Sequence, residues 1–241
     1  MSLARDLVWH DLECGAYDAD LPLWRELAAA CGGAVLDVGA GSGRVTLDLA
    51  RRGHELVALD ADPVLLDALA GRAAGLAVTT ALADARELQL GERFALVIVP
   101  MQTIQLFGGR RPRMRFLERA AAHLLPGGTI AIAIADPLAG GPAQPWTRPP
   151  LPDIAEIDGV VYSSQAVMLH DAGHAIGIER VREVIDDRGG RESEPDMIWL
   201  DVVTAAELEQ EGEALGLGVL PRREIGQTDD YVASTVVMLG G

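Results

Sequence analysis

The chain has 241 residues, 49% hydrophobic but only 4% aromatic, and carries a formal net charge of −16. That length suits one α/β domain over residues 1–241 with a modest insertion, while acidic charge spread along the chain repels phosphate backbones and weighs against a nucleic-acid partner. No apolar run reaches the roughly 18–20 residues that span a bilayer, and the N-terminus lacks a basic-then-apolar signal pattern, so a soluble, cytoplasmic protein with no membrane partner is expected. Cys14 and Cys31 provide neither a disulfide framework nor metal-ligand spacing, and no metal is expected.

Residues 1–33 form an N-terminal cap segment. Within it 9–17 reads as irregular or briefly helical. A helix then starts from Asp20 as N-cap, with Pro22 in the first turn and Leu23, Trp24, Leu27 and Ala28 on its apolar face. Gly32-Gly33 ends that helix. Residues 34–38 (AVLDV) are a buried strand that runs into Gly39, Gly41 and Gly43, and an amphipathic helix follows with Val45, Leu47 and Leu49 inward. Glycines at such a turn accept positive φ and let a ligand approach the backbone. The helix start beyond them leaves N–H groups for a polar or anionic group.

Residues 54–60 (HELVALD) form the second strand, and Asp62-Pro63 starts the next helix with Leu65, Leu66 and Leu69 inward. Residues 76–83 form the third strand, ending at Asp84, and 94–100 (FALVIVP) the fourth. A helix over 111–125 and a Pro126-Gly127-Gly128 turn lead to the fifth strand, 129–135. This alternation predicts a mostly parallel, doubly wound sheet covered on both faces. Ligands of such sheets sit beyond the carboxyl ends of the strands. The glycines, Asp60, Asp84, Pro100 and Asp136 all fall at such ends.

Residues 137–200 read as an insertion. It comprises a Pro- and Gly-rich loop to 152 and a β-hairpin, 160–170 with 175–186, turning at Asp171-Ala172-Gly173. A strand over 196–203 follows. Thr204 and Glu207 make a capping box for a helix through Leu215, and 217–225 with 232–239 close the fold as an antiparallel pair.

Gly39-x-Gly41-x-Gly43 is not the dinucleotide fingerprint, because Arg44 occupies its third glycine position and Asp37 has no role in it. The stretch resembles motif I of the class I S-adenosylmethionine-dependent methyltransferases, which runs hydrophobic, Asp or Glu, x, Gly-x-Gly-x-Gly. Further segments, ALADARELQL and LLPGGTIAIAI, are similar to that family's third-strand end and its turn into the fifth strand. The resemblance implies S-adenosylmethionine as cofactor, held by Asp37, Gly39, Ala40, Gly41, Gly43, Asp60, Ala61, Asp84, Ala85 and Pro100. In it Asp60 would bind the ribose hydroxyls, Asp84 the adenine amino group and the Ala85 amide a ring nitrogen, while Tyr17 would cover the methionine end. The bland readings are an N-cap for Asp60, a role Asp62 already fills, and a turn residue for Asp84. Asp37 on a buried strand needs a hydrogen-bond partner, either the glycine loop or the cofactor amine. Arg44 faces either the cofactor carboxylate or solvent.

This chain departs from the family after the fourth strand, where Pro100 to Phe107 lacks the Asn and His of many relatives, and it has no Asn-Pro-Pro-aromatic motif. Catalytic residues are therefore not carried over. Gln102, Gln105, Asp136, Trp146 and Tyr162 are the candidate substrate contacts. The resemblance implies a seven-stranded sheet, completed by the C-terminal antiparallel pair, and methyl transfer to an N or O atom of a small polar molecule; a monomer or homodimer is expected. A macromolecular methyltransferase or a non-catalytic S-adenosylmethionine-binding module are the alternatives.

Overall fold

The computed structural model describes residues 2–135, 150–228 and 231–241. The chain divides into two compact units, Met1–Tyr17 with Pro137–Val202, and Asp18–Asp136 with Val203–Gly241.

The larger unit holds α2 (Leu21–Cys31), β1 (Val35–Val38), α3 (Arg44–Ala50), β2 (Leu56–Asp60), α4 (Pro63–Arg72), β3 (Val78–Leu82), β4 (Phe94–Val99), α5 (Arg110–Ala122), β5 (Leu124–Ala135), α6 (Ala205–Glu213), β10 (Gly218–Ile225) and β11 (Ser234–Gly240). Its strands form one seven-stranded sheet in the order β10-β11-β5-β4-β1-β2-β3. β1 to β5 pair in parallel, whereas β11 runs antiparallel to both β5 and β10. This is the doubly wound sheet with an antiparallel closing pair that the strand–helix alternation predicts.

The central strands are apolar, apart from Asp37 on β1, because both faces are covered. Leu36, Val38, Val97, Val99, Ile130 and Ile132 pack with Phe116, Leu117 and Ala120 of α5 and Leu208 of α6. Ala58, on the opposite face, packs with Leu47 of α3 and Leu66 and Leu69 of α4. The helix starts follow the sequence signals. Asp62 accepts from the N–H groups of Val64 and Leu65, and Thr204 with Glu207 closes the expected capping box. Strand β5 begins at Leu124, five residues earlier than the pattern suggests, because Leu124 pairs with Phe94 ahead of a register shift at the Pro-Gly-Gly turn.

The smaller unit holds α1 (Ser2–Cys14) and a four-stranded antiparallel sheet, β6 (Asp153–Ile157), β7 (Val160–Asp171), β8 (Ala175–Ile185) and β9 (Arg191–Asp201), in chain order. The hairpin forms with the expected turn, where Asp171 accepts from the Gly173 N–H and Gly173 sits at φ 78°. Three elements exceed the sequence reading, among them β9, which starts at Arg191 and ends at Asp201 instead of spanning 196–203, because it pairs with β8 along its whole length. α1 is a full helix, held to the sheet by Glu13, which accepts from Arg182 and Ser164, and by Trp9, which meets Tyr162 edge-on at 5.4 Å. β6 escapes a periodicity search because only five residues separate the proline-rich stretch from the Asp158-Gly159 turn.

One buried ion pair joins helices on the same face of the larger sheet. Arg113 of α5 donates to Glu211 of α6 at 2.9 and 3.2 Å, and the two side chains are 7% and 2% exposed. Removing the carboxylate alone leaves a guanidinium in a dry interface. Glu211→Ala should therefore lower unfolding stability by about 3–5 kcal/mol, and Arg113→Met with Glu211→Leu should restore most of it. Urea midpoints of the three proteins check this. A loss below about 1 kcal/mol in the single variant would show the pair to be effectively solvated.

Candidate functional site

The strand order places β1 between β2 and β4, so the connections after β1 and after β4 leave the sheet in opposite directions. That divergence opens a crevice beyond the carboxyl ends of these strands. Gly39, Gly41 and Gly43 line one side at φ 72°, 55° and 102°, in the left-handed region. Two of these glycines make room for protein rather than for a ligand. A Cβ on Gly39 would lie 2.4 Å from Thr103 Cγ2, and one on Gly43 would lie 2.2 Å from Leu69 Cδ1. Gly39 thus lets the turn after β1 close on the 3-10 turn Thr103–Leu106 that follows β4.

The turn also uses its own N–H groups internally. Those of Gly39 and Ala40 donate to the Leu59 carbonyl at 2.8 and 3.0 Å, that of Gly43 to the Ala40 carbonyl, and that of Gly41 to Asp60 Oδ2 at 2.7 Å. What the turn presents is consequently a carboxylate. Asp60, at the end of β2, is fixed from two sides, since its Oδ1 also accepts from the Asp62 N–H at 2.9 Å. Each oxygen retains a lone pair for a further donor. Ala61, directly after Asp60, is exposed.

Asp37 is the deepest carboxylate, 1% exposed on β1. Its Oδ2 accepts from Thr46 Oγ1 of α3 at 2.6 Å, so the partner is neither of the two expected ones. Its Oδ1 is buried and has no hydrogen-bond partner among the described residues. Burial is the largest influence on this group and raises its pKa from 3.8 to about 6. Thr46 and Arg44 oppose the rise, while the charges of Asp60 and Asp20 add to it.

Arg44 takes neither of the positions open to it in the sequence. It donates to both oxygens of Asp20 at 2.6 and 2.7 Å, and Trp24 Nε1 donates to the same carboxylate at 2.8 Å. Asp20 stands at the N-cap position of α2 as expected, yet its side chain makes no capping bond and is fully buried in this fork. The pair fastens the start of α3, and with it the exit of the glycine turn, to α2.

Asp84 lies two residues beyond β3 and starts the 3-10 turn Ala85–Glu87, in which Ala85 is buried. Its carboxylate accepts from the Arg86 N–H at 2.9 Å and from Arg86 Nε and Nη2 at 2.8 and 2.5 Å. The Arg86 hydrogen bonds hold its pKa below the usual carboxylate range. Arg86 escapes a motif search because its role comes from folding back over a single turn.

Pro100 is buried at the end of β4, and the next residue, Met101, adopts φ 54°, a left-handed conformation rare for such a side chain. Gln102 is partly exposed beside it. Gln105 is placed differently from the expectation of a substrate contact. It is 1% exposed, its Nε2 donates to the Ala135 carbonyl at 3.0 Å, and its Oε1 accepts from the Ala135 N–H at 2.9 Å. That amide ties the loop after β4 to the end of β5. Asp136 and Trp146 lie outside the described residues. Tyr17 and Tyr162 belong to the smaller unit, Tyr17 buried and Tyr162 against Trp9. Among the described residues no cluster of His, Cys, Asp or Glu could hold a metal ion, and no helix is long and apolar enough to cross a membrane.

Residues 35–128, from β1 to the turn within β5, match the family described as "Methyltransferase domain". A Streptomyces protein, cypemycin N-terminal methyltransferase, is 33% identical over 122 residues, and the chain spans about half its length: the match covers 49% of this chain and 50% of that protein. An S-adenosylmethionine-bound amino pentose methyltransferase from Micromonospora echinaspora superposes with TM-score 0.74 at 18% identity, covering 93% of this chain and 92% of that one. A sugar N-methyltransferase from a Streptoalloteichus species gives TM-score 0.74 at 18% identity, with 97% and 91% covered. Residues 35–128 are thus similar to methyltransferase domains, and the fold is shared with solved methyltransferases.

The buried Asp37 carboxyl has a measurable consequence. Folded Asp37 keeps its proton up to about pH 6, whereas in the unfolded chain it ionises near 3.8. Between those values the native state binds more protons, so Asp37's contribution to stability falls as pH rises through that window and is level above it. In urea unfolding at pH 4 to 7, Asp37→Asn should gain on the parent protein by roughly 2–3 kcal/mol across the window. A difference that does not change with pH would contradict this.

Proposed function

We propose that this protein transfers the methyl group of S-adenosylmethionine to the nitrogen of an aliphatic amine on a small polar molecule. The observation that carries the reading is the inward use of the glycine turn's N–H groups, which leaves carboxylate as the chemistry of the crevice. A pyrophosphate needs the opposite arrangement, with N–H groups aimed outward. A cationic nucleoside rich in hydroxyl groups needs acceptors, and Asp60, Asp84 and the buried Oδ1 of Asp37 are acceptors. The residues present therefore fit this cofactor: Asp60 for the ribose hydroxyls, Asp84 and Ala85 for adenine, and Asp37 beneath the turn of Gly39, Ala40, Gly41 and Gly43.

When bound, S-adenosylmethionine supplies a methyl group on a positively charged sulfur, already activated for displacement. The chain's own task is to position the acceptor and exclude water. An amine in its neutral form brings its own lone pair and releases its proton after the C–N bond forms. It therefore asks less of the protein than a hydroxyl, which needs a general base. Gln102, beside the left-handed Met101 at the end of β4, is the proposed substrate contact. Gln105 is a positioning residue for that loop. The nitrogen acceptor is supported by the likeness to an amino pentose methyltransferase and a sugar N-methyltransferase. A second reading, the α-amino group of a peptide, is favoured by the likeness to a protein named as an N-terminal methyltransferase.

Two experiments test the reading. Transfer of labelled methyl from S-adenosylmethionine across amino sugars, free and acetylated peptides and phenols should label the amines alone, and label confined to phenols would overturn the nitrogen assignment. Asp60→Ala should weaken S-adenosylhomocysteine binding about tenfold or more by calorimetry, since a charge-assisted pair of hydrogen bonds is lost, with far-ultraviolet circular dichroism unchanged. Unaltered affinity would remove Asp60 from the site.

A further inference from the structure

The loop after β3 carries an arrangement beyond those assignments. Arg86 folds back on Asp84, two residues before it, and meets both carboxylate oxygens: Nε reaches Oδ1 at 2.8 Å and Oδ2 at 3.0 Å, and Nη2 reaches Oδ2 at 2.5 Å. The Arg86 N–H takes a second position on Oδ1 at 2.9 Å. The other end of the guanidinium, Nη1, donates to the Phe107 carbonyl at 3.4 Å, at the close of the 3-10 turn after β4. Phe107 is itself fixed edge-on against Phe116 of α5 at 5.3 Å. One side chain therefore ties together the loops that leave β3 and β4.

An isolated surface pair at one carboxylate contributes little, and Asp84 and Arg86 are 37% and 41% exposed. The geometry gives this pair another purpose. A carboxylate offers about four lone-pair positions. Three donor hydrogens, those of the Arg86 main chain, Nε and Nη2, occupy three of them; the Nε hydrogen is shared but lies nearer Oδ1, so the fourth position remains on Oδ2. A free aspartate would rotate and present either oxygen. With Arg86 in place it stays ionised and presents one lone pair in one direction.

We propose that Arg86 is the positioning residue for the adenine end of the cofactor site, orienting Asp84 so that one Oδ2 lone pair faces the adenine amino group. This rests on the reading of Asp84 as the adenine acceptor. Arg86 itself makes no contact with the reacting atoms. Lysine would supply the charge but not the planar fork that fixes both oxygens at once.

The test is calorimetric binding of S-adenosylhomocysteine, and of adenosine as the adenine-end fragment, to the full chain and to Arg86→Ala, Arg86→Lys and Asp84→Asn, with melting temperature recorded for each. Arg86→Ala should bind both ligands about tenfold more weakly. Arg86→Lys should recover only part of that loss. As pH falls, the acid limb of adenosine affinity should lie higher in Arg86→Ala than in the parent protein, because the Arg86 hydrogen bonds hold the Asp84 carboxyl low. A loss in Arg86→Ala that Arg86→Lys restores fully, with no move of the acid limb, would overturn the orientation claim. Unchanged affinity in Arg86→Ala alongside weakened Asp84→Asn would overturn the role of Arg86 alone. Unchanged affinity in Asp84→Asn, or no binding by the parent protein, would overturn the underlying reading of the site instead.

Discussion

The site depends on one short hydrogen bond, from the Gly41 N–H to Asp60 Oδ2 at 2.7 Å. It joins the turn that leaves β1 to the end of the neighbouring strand β2, and the Asp62 N–H completes the grip from the other side. Two adjacent parallel strands therefore end in a common structure. The turn reaches that bond only because Gly39 leaves the strand at positive φ, and Gly39 also admits Thr103 from the loop after β4. Three strand ends are fixed through residues 39 to 41. The fork of Arg44 on Asp20 then holds the far end of the turn against α2.

This arrangement sets the chemistry. A glycine turn with outward N–H groups would form an anion site, as in dinucleotide-binding proteins. Here the N–H groups of Gly39, Ala40, Gly41 and Gly43 point back into protein, and carboxylates are what remains. Asp37 carries this furthest, buried with one oxygen on Thr46 and the other without a partner among the described residues. Such a group is costly in an apolar interior and is retained where a ligand or a proton completes it.

Most of the fold was legible in the sequence because its signals are local. Alternating apolar strands and amphipathic helices, Asp62 before Pro63, and Thr204 three residues before Glu207 each specify structure within a few residues. The glycine turn and the acids at the strand ends were legible for the same reason. What was not legible is side-chain destination. Gln105 reads as a polar residue on a functional loop, yet it folds inward to pair with the main chain of Ala135, thirty residues away. Arg44 reads as a residue facing ligand or solvent, yet it pairs with Asp20, twenty-four residues earlier. No periodicity encodes such pairings, because they arise only once the sheet has brought distant segments together. β6 was missed because a strand of five residues beside a proline-rich stretch carries too little pattern.

The central claim is that the crevice between β1 and β4 offers acceptors to a cationic nucleoside rather than N–H donors to a pyrophosphate. Thermal unfolding of the full chain with S-adenosylmethionine, S-adenosylhomocysteine or NAD tests it most directly, since a ligand that binds only the native state raises the melting temperature. The account predicts a concentration-dependent rise with the first two and none with NAD. A rise with NAD and none with S-adenosylmethionine or S-adenosylhomocysteine would contradict it.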